Sequence, residues 1–390
     1  MRVATIAAAL IAALAAGCRH DLPELPPSMI PEPAAADVET VIFLVGDAGN
    51  ATERNYPIVH VLRADVEAWA ERLRSDTAVI VLYLGDIIYP DGMSAPGTAD
   101  YEWDSLVVAA QVNAVAGAAA RERVWAYFLA GNHDWGNARD AEGVDNLQEL
   151  EQFLDRQRAA GPRVRLLPEA GEPGPVVLDV GRQLTLLLYD TAWWLLASDQ
   201  ARKLDMMRET EAALRSARRR NRTVVMAAHH PWQSASAHGG FVRFWDGFGV
   251  RYLLSRSGAI LQDLNSIPYR ELRMMLQETF AAGPPLVFVG GHDHTLQVIQ
   301  NQGSNEPLWS IVSGSASKVS EVGHMAGMRY RLDGPGYGKI FIRRDGHVDF
   351  IMVAAPNDDQ LMCEGAGTAL QECMSKHMTS FIPRYGVRLK

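Results

Sequence analysis

Five short clusters of metal-liganding side chains and glycines recur along the chain. They are Gly46-Asp47-Ala48-Gly49, Gly85-Asp86-Ile87-Ile88-Tyr89, Gly131-Asn132-His133-Asp134, His229-His230-Pro231 and Gly290-Gly291-His292-Asp293-His294. Singly each is weak, because Gly-Asp pairs arise by chance and a lone histidine is more often structural than a ligand. In series they supply carboxylates, an amide, a phenol and several imidazoles. Two hard cations close together need that inventory, with one carboxylate to bridge them and open positions for water and substrate. The only cysteines are Cys18, Cys363 and Cys373, remote from these clusters, so a thiolate site is not expected.

Short apolar runs rich in β-branched residues must position these clusters. The spacing predicts strands over Thr40 to Val45, Ala78 to Leu84, Val124 to Ala130, Leu184 to Tyr189, Thr223 to Ala228 and Leu286 to Val289, buried on both faces. Five of these six end directly at a cluster, where an α/β sheet presents its ligand-binding edge. Between the first two, Leu62, Val66, Trp69 and Leu73 share one helical face. Further helices are predicted over Asp104 to Glu122, Asp145 to Ala160, Asp199 to Arg220 and Tyr269 to Ala282, and a hairpin turns at Asp345-Gly346. The alternation argues for an α/β domain.

The 390 residues are 48% hydrophobic and 21% charged, enough for a sizeable core. A formal charge of −9 and a pI near 5.7 give no reason to expect nucleic acid. The cluster Arg215, Arg218, Arg219, Arg220 and Arg222 ends a predicted helix, where cations suit the dipole and solvent.

At the N-terminus Arg2, an apolar stretch from Val3 to Ala16 and a run of small residues read as an export signal, too short to span a bilayer comfortably. Leu14-Ala15-Ala16-Gly17-Cys18 resembles a bacterial lipoprotein processing site, although Ala15 stands where an aliphatic residue is usual. The resemblance implies lipid on Cys18 and a place in the cell envelope, periplasmic or at the surface; an ordinary cleaved signal is the alternative. The expected division is a signal over 1–17, a proline-rich tether over 18–39 that cannot pack a core, a catalytic domain over 40–355 and a tail over 356–390. In an oxidising compartment Cys363 and Cys373 can form a local disulfide.

The five clusters together resemble the calcineurin-like metallophosphoesterase family, with its series D-x-H, G-D-x-x, G-N-H-D/E, a later His and G-H-x-H. The resemblance covers about residues 40–355 and implies a four-layer α/β/β/α sandwich of two packed mixed sheets. Where most members carry D-x-H this chain has Asp47-Ala48-Gly49, and Gly85-Asp86-x-x-Tyr89 matches the purple acid phosphatase branch, in which a tyrosinate binds ferric iron. His238 is similar in spacing to a histidine beside the metals of the small, mammalian-type members.

By that resemblance one metal takes Asp47, Asp86, Tyr89 and His294, and the other Asp86, Asn132, His229 and His292. Fe(III) is implied at the Tyr89 site, with Fe(II), Zn or Mn at the second. A metal-bound hydroxide would attack phosphorus, His133 would donate to a phosphoryl oxygen and Asp134 would orient it. His238, or His230, would protonate the leaving oxygen.

The expected activity is an acid phosphomonoesterase acting as a monomer on a phosphate-ester substrate. Phosphodiesterase action on nucleotides or lipids is the first alternative; a noncatalytic surface lipoprotein that binds phosphate or a partner is the second. Tyr89 could instead pack over a turn. His20, His60, His324, His347 and His377 lack motif context. Trp193, Trp194, Phe241, Phe244, Trp245 and Phe248 either wall a substrate cleft or pack loops together, and the stretch from Gly239 to Asn265 is where a specificity loop is expected.

Overall fold

A computed structural model of the chain describes residues 24–136, 142–241, 253–254, 257–356 and 361–390. The export signal, Cys18, Phe244, Trp245 and Phe248 lie outside the described residues.

The described strands in chain order are β1 (Val38–Val45), β2 (Ala78–Tyr83), β3 (Val124–Phe128), β4 (Arg163–Leu166), β5 (Val176–Val180), β6 (Leu184–Leu188) and β7 (Thr223–Ala227). They continue as β8 (Val287–Gly290), β9 (Leu296–Gln300), β10 (Trp309–Ser313), β11 (Met328–Leu332), β12 (Gly336–Arg343), β13 (Val348–Ala354) and β14 (Ile382–Arg388). They form two seven-stranded sheets, ordered β14-β13-β12-β1-β2-β3-β4 and β11-β9-β10-β8-β7-β6-β5. Both are mixed: β1 runs parallel to β2 and antiparallel to β12, and β10 runs parallel to β8 and antiparallel to β9.

Two-residue alternation decides the layering. Val41, Phe43 and Val45 of β1 pack with Leu62, Val66 and Trp69 of helix α1 (Pro57–Arg72). Ile42 and Leu44 point the other way and meet Leu186, Val225 and Val289 of the second sheet. That sheet's far face, through Leu187, Met226 and Phe288, packs on Met206, Leu214, Leu272 and Leu276 of the helices Gln200–Arg219 and Ile267–Phe280. The result is the expected four-layer sandwich. Each fully buried leucine in the middle layer contributes about 1.5 to 3 kcal/mol, so the apposition of the sheets is strongly held.

Several expectations are corrected. The helix expected from Asp104 to Glu122 is two, Tyr101–Asn113 and Ala118–Arg123, broken around Gly117. Six strands without a matching prediction, β4, β5, β9, β10, β11 and β14, complete the sheets. The proline-rich stretch is not a free tether where it is described, because Ser28 exchanges hydrogen bonds with Gly386 and Pro33 is buried. Lys339 holds it too, with its ammonium against Glu32 and 2.7 Å from Asp65. The tail contributes β14 to the first sheet, and Cys363 and Cys373 are bonded.

Arg220 pairs with Asp179, and Arg222 donates to the carbonyls of Val180 and Gly181, so these two arginines tie down a strand end. Trp194 is no cleft wall: it is fully buried under Lys203 and donates to Pro268 O at 3.1 Å. Among the described residues no helix is long and apolar enough to cross a membrane.

Candidate metal centre

The loops after β1, β2, β3, β7 and β8 bring Asp47, Asp86, Asn132, His229, His292 and His294 to one buried place. Three of these residues sit in left-handed backbone, with φ of 60° at Asp47, 53° at Asp86 and 67° at His292. Such geometry costs about 1 to 3 kcal/mol per non-glycine residue and persists only where the surroundings over-determine it. Here they do: Asp47 N donates to Gly85 O at 3.1 Å and His292 N to Asp47 Oδ2 at 2.8 Å. His133 N donates to Asp86 Oδ1 at 3.0 Å. Gly131 is required by this approach, because a Cβ there would lie 2.2 Å from Asp86 Oδ1.

One group of donors surrounds the Tyr89 phenol. Its hydroxyl lies 2.9 Å from Asp86 Oδ2, 3.1 Å from Asp47 Oδ1 and 3.3 Å from His294 Nε2. The missing imidazole of the first cluster has a steric reason. A Cβ on Gly49 would lie 2.6 Å from Tyr89 Cδ2 and 2.7 Å from the Asp86 carbonyl, so a histidine at 49 and this Tyr89 cannot share the space.

A second group is formed by His229, His292 and Asn132. His229 Nδ1 lies 2.8 Å from Leu84 O, and His292 Nε2 lies 2.8 Å from Gln262 O. A carbonyl only accepts, so each of these nitrogens carries the proton and the other nitrogen of each neutral ring is a lone pair. Those two lone pairs, His229 Nε2 and His292 Nδ1, face each other at 3.1 Å, and Asn132 Oδ1 lies 3.0 and 3.1 Å from them. Three acceptors turned on one point repel one another unless a cation or proton lies among them. Backbone carbonyls behind ligating imidazoles are the usual means of fixing the tautomer.

Asp86 links the groups. Its Oδ1 lies 3.3 Å from His229 Nε2 while Oδ2 takes the Tyr89 hydroxyl, the disposition a bridging carboxylate requires. Asp47, Asp86 and His229 each place one ligand atom within 4.8 Å of the others.

Without a cation the electrostatics are unfavourable. Burial, then the charge on Asp86, pushes the Asp47 carboxyl well above its usual range. For Asp86 burial works the same way but is outweighed by the imidazoles of His229 and His133, so Asp86 is the ionised partner. Burial and then the two carboxylates hold the Tyr89 phenol well above its ordinary value. Burial lowers His229 and His292 and brings His294 down to about 4, so all three are neutral bases at pH 7. Cations inverting these penalties fit the donor set, which is hard oxygen and imidazole nitrogen.

The other residues singled out from the sequence divide. His133 reaches the surface, its ring edge-on to Tyr89 with centroids 4.5 Å apart and Nδ1 against Pro90 O. Asp134 braces the backbone. Its carboxylate accepts from Ile87 N, Ile88 N and Gly131 N at 2.8 to 3.0 Å and thereby ties the second and third clusters together. His230 is fully buried with Nδ1 2.9 Å from Thr191 Oγ1 and Nε2 3.2 Å from Gln262 Oε1, which leaves it a supporting role behind His292. His238 is part-exposed, its ring tilted against that of His292 with centroids 4.3 Å apart and Nδ1 3.0 Å from the buried Asp263 carboxylate.

Two contributors were missed. Gln262 and Asp263 lie in the stretch expected only as a specificity loop, yet they orient His292, His230 and His238. A sixth loop, Gly314 to Ser320 after β10, also reaches the site, where Ser317 Oγ donates to Asp47 O, Ser320 N donates to His294 O at 2.8 Å and Lys318 lies over Tyr89. Its signal was the apolar run Trp309 to Val312 ending in Ser313-Gly314-Ser315-Ala316-Ser317-Lys318.

The family model described as calcineurin-like phosphoesterase matches residues 41–296. Among curated proteins none matches the chain in sequence. The fold is shared at 12% identity and TM-score 0.50 with GAP50, described as the anchor in the inner membrane complex of Plasmodium, over 89% of this chain and 96% of that one. A purple acid phosphatase from yellow lupin (Lupinus luteus) seeds is similar at 16% identity and TM-score 0.52, over 85% of this chain and 53% of that one. A dimetal phosphatase from Danio rerio aligns at 14% identity and TM-score 0.42, over 82% of this chain and 96% of that one, a likeness too slight to argue from.

Proposed function

Because the chain belongs to the calcineurin-like phosphoesterase family, we propose that it hydrolyses phosphoric esters with two metal ions, and that phosphomonoesters at acid pH are its preferred substrates. One observation carries the reading: two imidazole lone pairs and an amide oxygen converge beside a carboxylate whose second oxygen faces a buried phenol. The fold alone does not decide it, since an anchor protein and a phosphatase share that fold.

Asp47, Asp86, Tyr89 and His294 would hold one ion, and Asp86, Asn132, His229 and His292 the other. Bound there, the ions supply Lewis acidity that activates water and neutralises charge on phosphoryl oxygens. Tyr89 favours Fe(III) at its site, with Fe(II), Zn or Mn at the second, and an acid optimum follows from a trivalent ion.

The chain's own residues do the rest. With Nδ1 turned on Pro90 O, His133 beside Tyr89 donates from Nε2 to a phosphoryl oxygen as the imidazolium. Asp263 holds His238 with Nδ1 as the donor, which presents the ring's other nitrogen for proton delivery to the leaving oxygen. Asp134 and Asp293 keep the loops in register through backbone amides, the latter by accepting from His238 N at 3.1 Å. A lipid on Cys18 and a place in the envelope complete the proposal, on the sequence of the first 18 residues.

Elemental analysis of the mature domain, its visible spectrum, and turnover of p-nitrophenyl phosphate against the bis ester test the reading together. Two metals per chain, a tyrosinate-to-iron band and faster monoester turnover are expected. Preference for the bis ester would move the assignment to a phosphodiesterase, divalent metals without the band would remove the ferric site, and turnover untouched by His133→Ala would sink the enzyme reading.

A further inference from the structure

The loop Gly314 to Ser320 carries a cation that the metal ligands do not use. Lys318 is half-buried, its Nζ lies 3.2 Å from the Tyr89 ring centroid, and among the described residues it makes no hydrogen bond and no ion pair. The loop holds it there firmly. Ala316 N donates to Gly46 O at 3.2 Å and Ser317 Oγ to Asp47 O before it; Ser320 N donates to His294 O at 2.8 Å after it.

The position has a consequence for charge. Asp47 and Asp86, on the hydroxyl end of the same phenol, attract that ammonium through space while hydrogen bonds from Tyr89 and backbone amides orient them. With the charge of those carboxylates shared with metals, the lysine on the rim of the site can attract a further anion. His133, with Nδ1 turned on Pro90 O, borders the same Tyr89 ring. An ammonium and an imidazole that both border one ring beside a two-cation centre can attract an anion of high charge.

We propose that Lys318 binds the non-bridging oxygens of a phosphoryl dianion and so gives the site its preference for monoesters over diesters. This rests on the hydrolase reading for its substrate, but the anion site itself can be tested without turnover. A monoester presents three phosphoryl oxygens sharing two charges; a diester presents two sharing one, and gains less from an added cation. Lys318 is a binding residue, with no bond made or broken at its nitrogen.

The test compares metal-loaded wild type with Lys318→Met and Lys318→Arg. Calorimetric titration with inorganic phosphate is expected to show about tenfold weaker binding in the Met variant and near-recovery in Arg. KM for p-nitrophenyl phosphate is expected to rise by about the same factor with kcat within about twofold, while KM for the bis ester moves by less than about threefold. Unchanged phosphate binding in a Met variant that keeps its metals would overturn the proposal. So would loss of metal together with kcat at constant KM, since Lys318 would then only support Tyr89. Absence of turnover of any ester by loaded wild type sinks the hydrolase reading instead, and phosphate calorimetry then decides the anion site alone.

Discussion

Replacing Asp86 with asparagine should stabilise the metal-free protein and destabilise the loaded one. The oxygens of Asp47 and Asp86 lie within 4.8 Å of each other in a buried site. At that separation and an effective dielectric of about 20, two unit charges repel by about 3.5 kcal/mol. Asp47 escapes part of this by keeping its proton, since its carboxyl is pushed well above the usual range by burial and by Asp86, so the effect grows with pH.

The amide costs less than it relieves. Its oxygen can still accept from His133 N and its nitrogen can donate to the Tyr89 oxygen, which weakens charge-assisted bonds by about 1.5 kcal/mol. A net gain of about 2 kcal/mol is expected for the metal-free variant. With metal at a hundred times its dissociation constant wild type gains about 2.7 kcal/mol per site, and the variant, lacking the shared carboxylate, gains almost none. Thermal and chemical denaturation at pH 8, with chelator and then with metal, should therefore show the two proteins exchanging rank. A folded Asp86→Asn that is less stable than wild type in chelator, or that responds to metal as wild type does, would refute the reasoning.

Other outcomes follow from the same geometry. Gly49→His, which rebuilds the common family motif, should lose at least about 1 to 3 kcal/mol in chemical denaturation, because its Cβ meets the Asp86 carbonyl as well as the Tyr89 ring; wild-type stability would show the two side chains to be compatible. Burial raises Asp190 to about 7, so its favourable contribution is complete below the ordinary carboxylate value and lost as pH rises through 7. Asp190→Asn should accordingly flatten the fall in unfolding free energy of the metal-free protein between pH 4 and 8 by about 4 kcal/mol, and an unchanged slope difference would refute it. Asp263→Asn should slow turnover of esters with poor leaving groups about tenfold while sparing p-nitrophenyl phosphate; equal losses would show that His238 is not the proton donor.

Periodicity and residue type determined much of this protein. Strands buried on both faces are continuous apolar runs, so β1, β2, β6, β7 and β8 were legible within a residue or two at most ends, as were α1 from its single apolar face and β3, although Trp125 and Tyr127 leave one face of β3 part-exposed. The five clusters at strand ends were legible because a parallel sheet concentrates chemistry at one edge. The edge strands β4, β5 and β11, and β14 in the tail, were not, being part-exposed with no continuous apolar run to stand out.

Tertiary structure alone decided the pairings. No spacing rule shows that Gln262 O fixes the tautomer of His292, that Asp134 braces the second and third clusters, or that Gly49 is small because Tyr89 fills its space. Contacts within the site join residues up to 270 positions apart in sequence, as Asp47 and Ser317 are, and depend on how the two sheets pack face to face. Local sequence sets which face a side chain takes, whereas the distance between two loops is set by everything packed beneath them.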